Sequence, residues 1–146
     1  MNSQASIAND NKRQRENSYL EGIMGKNSLD VRKAIICFQY TERIKSELII
    51  TANLLGKIGE LESDELAGAE KLILLLLRAL QGEVGMAHSI LGMQNFEDAG
   101  DKVAEVAERV RSREYLEATR RISEAISLIT TGGQQATEVL KEKGFL

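Results

Sequence analysis

Residues 72–77 read Leu-Ile-Leu-Leu-Leu-Leu, and whether this run is strand or helix decides the fold. By length alone, six apolar residues fit a buried strand or part of a buried helix equally well. The flanks separate the two. Apolar positions continue as Leu66, Ala69, Ile73, Leu76, Leu80, Val84, Ala87 and Leu91, in steps of three and four that return to one helical face. Leucine favours helix, and no β-branched or aromatic alternation argues for a strand. The reading is a helix over residues 64–92. Leu72, Leu74, Leu75 and Leu77 fall off its main stripe, so for about two turns it is apolar all round. Such a segment is expected to be central, because each large side chain left in water forgoes roughly 1.5–3 kcal/mol. Neighbouring helices or a second subunit must then surround it. Glu70, Lys71 and Arg78 bracket the run, which is far short of the roughly 20 apolar residues of a membrane span.

The sequence before it predicts another long helix over residues 27–58, capped by Asn27 or Ser28 with Asp30 near the positive end of the dipole. Its seam is Ala34, Cys37, Thr41, Ile44, Leu48, Thr51, Leu55 and Ile58, a strict alternation of three and four typical of helices packed side by side. Residues 59–63 form a short turn in which Ser63 is a natural N-cap, so these two helices are expected to be antiparallel neighbours. After Gly92, a thinner helix over 96–111 carries Phe96, Ala99, Val103, Val106 and Val110. A break near Ser112 and Arg113 leads to a fourth helix with Tyr115, Thr119, Ile122, Ile126, Ile129, Gly133, Ala136 and Leu140 in register. The unbroken phase favours one helix through Gly132-Gly133, with the glycines admitting a close neighbour. Gly144 ends it, leaving Phe145 and Leu146 to fold back.

These elements predict an all-α protein, an antiparallel up-down four-helix bundle over residues 27–146. Residues 1–26 are read as a flexible N-terminal arm, rich in Asn, Gln and Ser, in which Tyr19, Leu20, Ile23 and Met24 are spaced to form a short docking helix. The chain has 146 residues, enough for one domain with a real core. Pro is absent, which fits long helices joined by short turns. A net charge of −3 argues against bulk electrostatic binding of nucleic acid or anionic membrane. Cys37 is the sole cysteine, so neither an internal disulfide nor a cysteine metal site is expected. The amino terminus lacks the apolar stretch of a signal peptide, and a reducing cytoplasm is the expected compartment.

The residues offer little catalytic chemistry. A di-iron carboxylate bundle needs Glu-x-x-His pairs, but the single histidine, His88, has Gly85 three positions before it. Cys37 lies on a core seam, where a small buried thiol is the expectation rather than a nucleophile. Arg78, Gln81, Gly85 and His88 share one helical face, read as a solvent-facing stripe or a small polar groove. Acidic residues one turn apart, at Glu62/Glu65, Asp98/Asp101, Glu105/Glu108 and Glu114/Glu117, are the arrangement that holds magnesium in nucleotide hydrolases. Helix dipoles and chance explain such pairs without a metal. No catalytic residue, cofactor or metal site is assigned.

Two surfaces stand out instead. Ile35, Ile36, Ile49 and Ile50 lie away from the seam of the first long helix, with Glu42 and Arg43 between the pairs, and are read as the interface of a homodimer or of a contact with another helical protein. Arg109, Arg111, Arg113, Arg120 and Arg121, against Glu114 and Glu117, give a local net of +3, a candidate patch for phosphate or an acidic partner. The expected function is a non-enzymatic, self-associating helical interaction module. The alternative is a nucleic-acid-associated accessory subunit using the arginine patch, and a metal-dependent nucleotide hydrolase comes third.

Overall fold

The computed structural model describes residues 6–16 and 29–146. All described elements are helices: α1 (residues 6–16), α2 (Val31–Ile58), α3 (Ser63–Leu91), α4 (Gln94–Arg111) and α5 (Tyr115–Glu142), with no strand among the described residues. The expected arm therefore contains a helix, α1, in a stretch read as irregular, and every residue of it is exposed. Its Ala, Lys, Arg, Gln and Glu are strong helix formers, enough for local helix without an apolar face to dock. The segment Tyr19–Met24 lies outside the described residues.

Local chemistry sets the helix ends. The cap of α2 is Asp30, whose Oδ1 accepts from the Lys33 amide at 2.8 Å, rather than Asn27 or Ser28, which lie outside the described residues. Leu29 precedes it in non-helical conformation, packed against the core. Ser63 is the first helical residue of α3, not its cap; Glu62 is extended there without a capping side chain, and Asp64 and Glu65 occupy the first turn. At the other end Gly92 is left-handed, φ 65°, and its amide reaches the His88 carbonyl at 2.7 Å. Glycine takes that conformation without strain. α4 starts at Gln94, two residues before the predicted Phe96.

The α2 seam is buried at all eight predicted positions, and so is the predicted line of α4. In α3, Leu77 rather than Leu76 is fully buried. In α5, Ala118 and Ala125 line the core while Thr119 and Ile126 are half-buried. Small alanines let that helix approach its neighbours with its long side chains turned to the edges. α5 packs against α2 and α4, α4 packs against α3, and α3 meets α2 less extensively. These pairings are compatible with a closed cycle of four helices. α5 runs unbroken through Gly132-Gly133; a Cβ on Gly133 would press on buried Thr41 of α2, and one on Gly132 would clash with the Asn95 side chain of α4. No helix among the described residues is long and apolar enough to cross a membrane.

Candidate interaction face

The leucine run is covered on one side only: Ile73 and Leu77 are buried, while Leu72 and Leu75 are exposed. α3 carries two apolar stripes on opposite sides. The inner one, Ile73, Leu77, Leu80, Val84, Ala87 and Leu91, is buried. The outer one, Gly68, Leu72, Leu75, Ala79, Gly82 and Met86, steps by four and three along the opposite side, carries no charge, and is exposed at every position. Leu72 is 69% exposed, Leu75 61% and Met86 59%, and Ile90, one turn further, is 48% exposed. A Cβ added at Gly68 or Gly82 would meet nothing within 4 Å. No contact within the chain therefore requires those glycines, although each weakens a helix by about 1 kcal/mol relative to alanine.

This stripe continues onto α2. Leu54 and Ile58 of α2, Leu61 of the α2–α3 turn, and Ala69, Leu72 and Ile73 of α3 line a mostly apolar groove of about 260 Å³, with Lys57 at its border. Further along the same junction a cleft of about 700 Å³ is bordered by Tyr40, Arg43, Glu47, Glu83, Ala79 and Met86. Arg43 Nε stands 2.6 Å from Glu83 Oε1 and 3.4 Å from Glu47 Oε1. The first contact lies off the hydrogen-bond direction, since Glu83 Oε1 has no aligned donor. Burial pushes the Glu83 carboxyl above its ordinary value, the Glu47 carboxylate pushes the same way, and Arg43 only partly opposes them.

The two sequence-predicted surfaces fare differently. Ile35, Ile49 and Ile50 are exposed, but Ile36 is half-buried against the core, so the four isoleucines are not one open face. Glu42 pairs with Lys45 at 2.8 Å, and Arg43 turns to Glu83 and Glu47. Each arginine of the candidate patch has its own carboxylate: Arg109 with Glu114 at 2.7 Å, Arg111 with Glu108 at 2.5 Å, Arg113 with Glu70 at 3.3 Å, Arg120 with Glu117 at 2.5 Å, and Arg121 with Glu124 at 3.2 Å. Glu70 also accepts from the Tyr115 hydroxyl. Burial and that hydrogen bond push the Tyr115 phenol up to about 12. The cluster ties the α4–α5 turn to α3, a link that no linear motif signals.

Other chemistry-bearing residues are dispersed. Among the described residues no group of three or more His, Cys, Asp or Glu is placed to hold a metal ion. Cys37 is buried, with its Sγ 3.7 Å from Met93 Sδ and 4.0 Å from Thr41 Oγ1; burial raises its pKa. His88 Nδ1 lies 3.1 Å from the Met93 carbonyl and its Nε2 3.7 Å from Glu97, linking α3 to α4. Arg78 and Gln81 border an α3–α4 groove with Lys71 and Arg111, so their face is partly a groove. Compared with protein-family models, curated proteins and solved structures, the chain has no match in any of the three.

Proposed function

We propose that this protein is a non-enzymatic helical interaction module of the cytoplasm, an antiparallel up-down four-helix bundle that docks another helical surface on its α2/α3 face. The observation that carries the reading is the charge-free outer stripe of α3, with Leu72 and Leu75 more than 60% exposed. With Ile50, Leu54, Leu61, Met86 and Ile90, these side chains leave on the order of 600 Å² of apolar surface in water, at the upper limit of what monomers normally carry. The nucleic-acid alternative has less support, because every arginine of its patch is paired with glutamate, leaving little unbalanced charge for phosphate.

A photo-crosslinking residue placed at Leu75 in cells tests the module. The expected result is a discrete protein adduct, either with a second copy or with another protein, that disappears when Leu72 is also changed to Glu. No adduct at all, from a chain that is folded and present in normal amount, overturns the reading.

A further inference from the structure

Building on the interaction-module reading, we infer that the occupant of the α3 outer face is the same face of a second copy, running antiparallel, with the two-fold axis beside Ala79. The stripe is spaced almost symmetrically about that residue. Antiparallel pairing about Ala79 sets Leu72 opposite Met86 of the second copy, Leu75 opposite Gly82, and Gly68 opposite Ile90, while the small Ala79 meets itself. Leu75 and Ile90 thus face glycine gaps, and Leu72 meets the flexible side chain of Met86, which adapts to fill the space beside it. A parallel pair in register sets Leu72 on Leu72, Leu75 on Leu75 and Gly82 on Gly82, which crowds one end and leaves a void in the middle. The antiparallel arrangement also gives Gly68 and Gly82 a use where nothing in their own chain approaches them.

The dimensions suit a dimer. From Gly68 to Ile90 the stripe is about 33 Å long at the usual helical rise. With the adjoining α2 leucines, its exposed apolar surface supplies most of the roughly 800 Å² that each partner of a standard interface buries. The exposed isoleucines of α2 are a poorer choice, because Glu42, Arg43, Lys45 and Glu47 interrupt the course between Ile35 and Ile49. One feature of the pairing works against it: Arg78, on the stripe's edge beside Ala79, faces its own copy across the axis. Screening relieves that repulsion, so the association strengthens as salt rises, the opposite of an interface held by ion pairs.

Two single-cysteine additions test the arrangement on the otherwise unaltered protein, in which Cys37 is buried and silent. Leu72→Cys and Met86→Cys chains, each exposed enough to fold normally, are treated with a short bismaleimide separately and as a mixture. The expected result is a covalent dimer in the mixture and little in either variant alone, alongside a dimer by sedimentation that Leu75→Glu dissociates with at least about 30-fold weaker association. Crosslinking of Leu72→Cys with itself overturns the antiparallel pairing in favour of a parallel one. A purified protein that sediments as a monomer at high concentration and moderate salt overturns the self-association. In that case a heterologous adduct at Leu75 in cells still upholds the interaction module, so the two ideas fail separately.

Discussion

Gly133 of α5 lies so close to Thr41 of α2 that a Cβ on the glycine would stand 2.5 Å from Thr41 Cγ2. Thr41 is buried and β-branched, so it has few rotamers with which to make room. Gly132, its neighbour, faces instead the flexible amide end of Asn95, which donates to the Leu128 carbonyl at 3.3 Å.

The two glycines should therefore respond differently. Gly133→Ala overpacks the α2–α5 contact and is expected to destabilise by about 1–3 kcal/mol. Gly132→Ala displaces Asn95 and loses a hydrogen bond of about 1 kcal/mol, while helix propensity returns a similar amount. Its net effect should be small. Urea unfolding of both variants checks this, and equal losses would contradict the assignment of Thr41 as the neighbour less able to give way.

Glu83 should make stability depend on pH. Its carboxyl is raised by burial and by Glu47, so the folded state holds the proton more tightly than the unfolded chain does. That contribution is fully present below the ordinary value of 4.5 and is lost as pH rises through the raised folded value. At neutral pH the ionised Glu83 carboxylate is less well accommodated in the folded state than in the unfolded chain. Glu83→Gln is expected to raise the thermal midpoint at pH 7, with the advantage shrinking toward pH 4. A loss of stability at pH 7 would mean that the Arg43 contact outweighs burial.

The helical periodicity was readable in the chain, but the covering of each face was not. All eight seam positions of α2 are buried because every neighbour it needs is in the same chain. The same reasoning applied to the leucine run asks for a cover over Leu72 and Leu75 from neighbouring helices or a second subunit, and no helix of the described residues supplies it, since apolarity states only that a side chain gains from burial. Which element covers it is a tertiary fact. The arginine patch is more nearly balanced in charge than its sequence window suggests, for a related reason: a window over residues 109–121 counts Glu114 and Glu117 but omits Glu108 and Glu124 just outside it and Glu70 across the fold. The pairing of Gly132 and Gly133 with a close neighbour was legible, because two glycines inside an unbroken periodic line have few other uses.

Arg113 holds the α4–α5 turn in a conformation ordinarily left to glycine. Its φ is 57°, and the Glu114 amide reaches back to the Arg109 carbonyl at 2.9 Å, closing α4. Arg113→Gly and Arg113→Ala both remove the ion pair with Glu70, so the difference between them isolates the backbone strain. The glycine variant should be the more stable by about 1 kcal/mol. If the alanine variant unfolds at the same denaturant concentration, the turn relaxes at little cost and the left-handed conformation is not a source of strain.

The last prediction separates the helix's own preference from its association. Gly82 and Gly85 are both exposed within α3, and an added Cβ meets nothing at either. Alanine at each should therefore stabilise the isolated fold by up to about 1 kcal/mol through helix propensity alone. Only Gly82 lies on the outer stripe, opposite Leu75 of a second copy in the proposed pairing; Gly85 is turned toward the α4 side. Gly82→Ala is expected to weaken sedimentation-detected association while raising unfolding stability under dissociating, dilute conditions. Gly85→Ala should raise the stability and leave association unchanged. If Gly82→Ala associates as tightly as the parent, the glycine makes no notch for a partner and the Leu75 pairing is wrong.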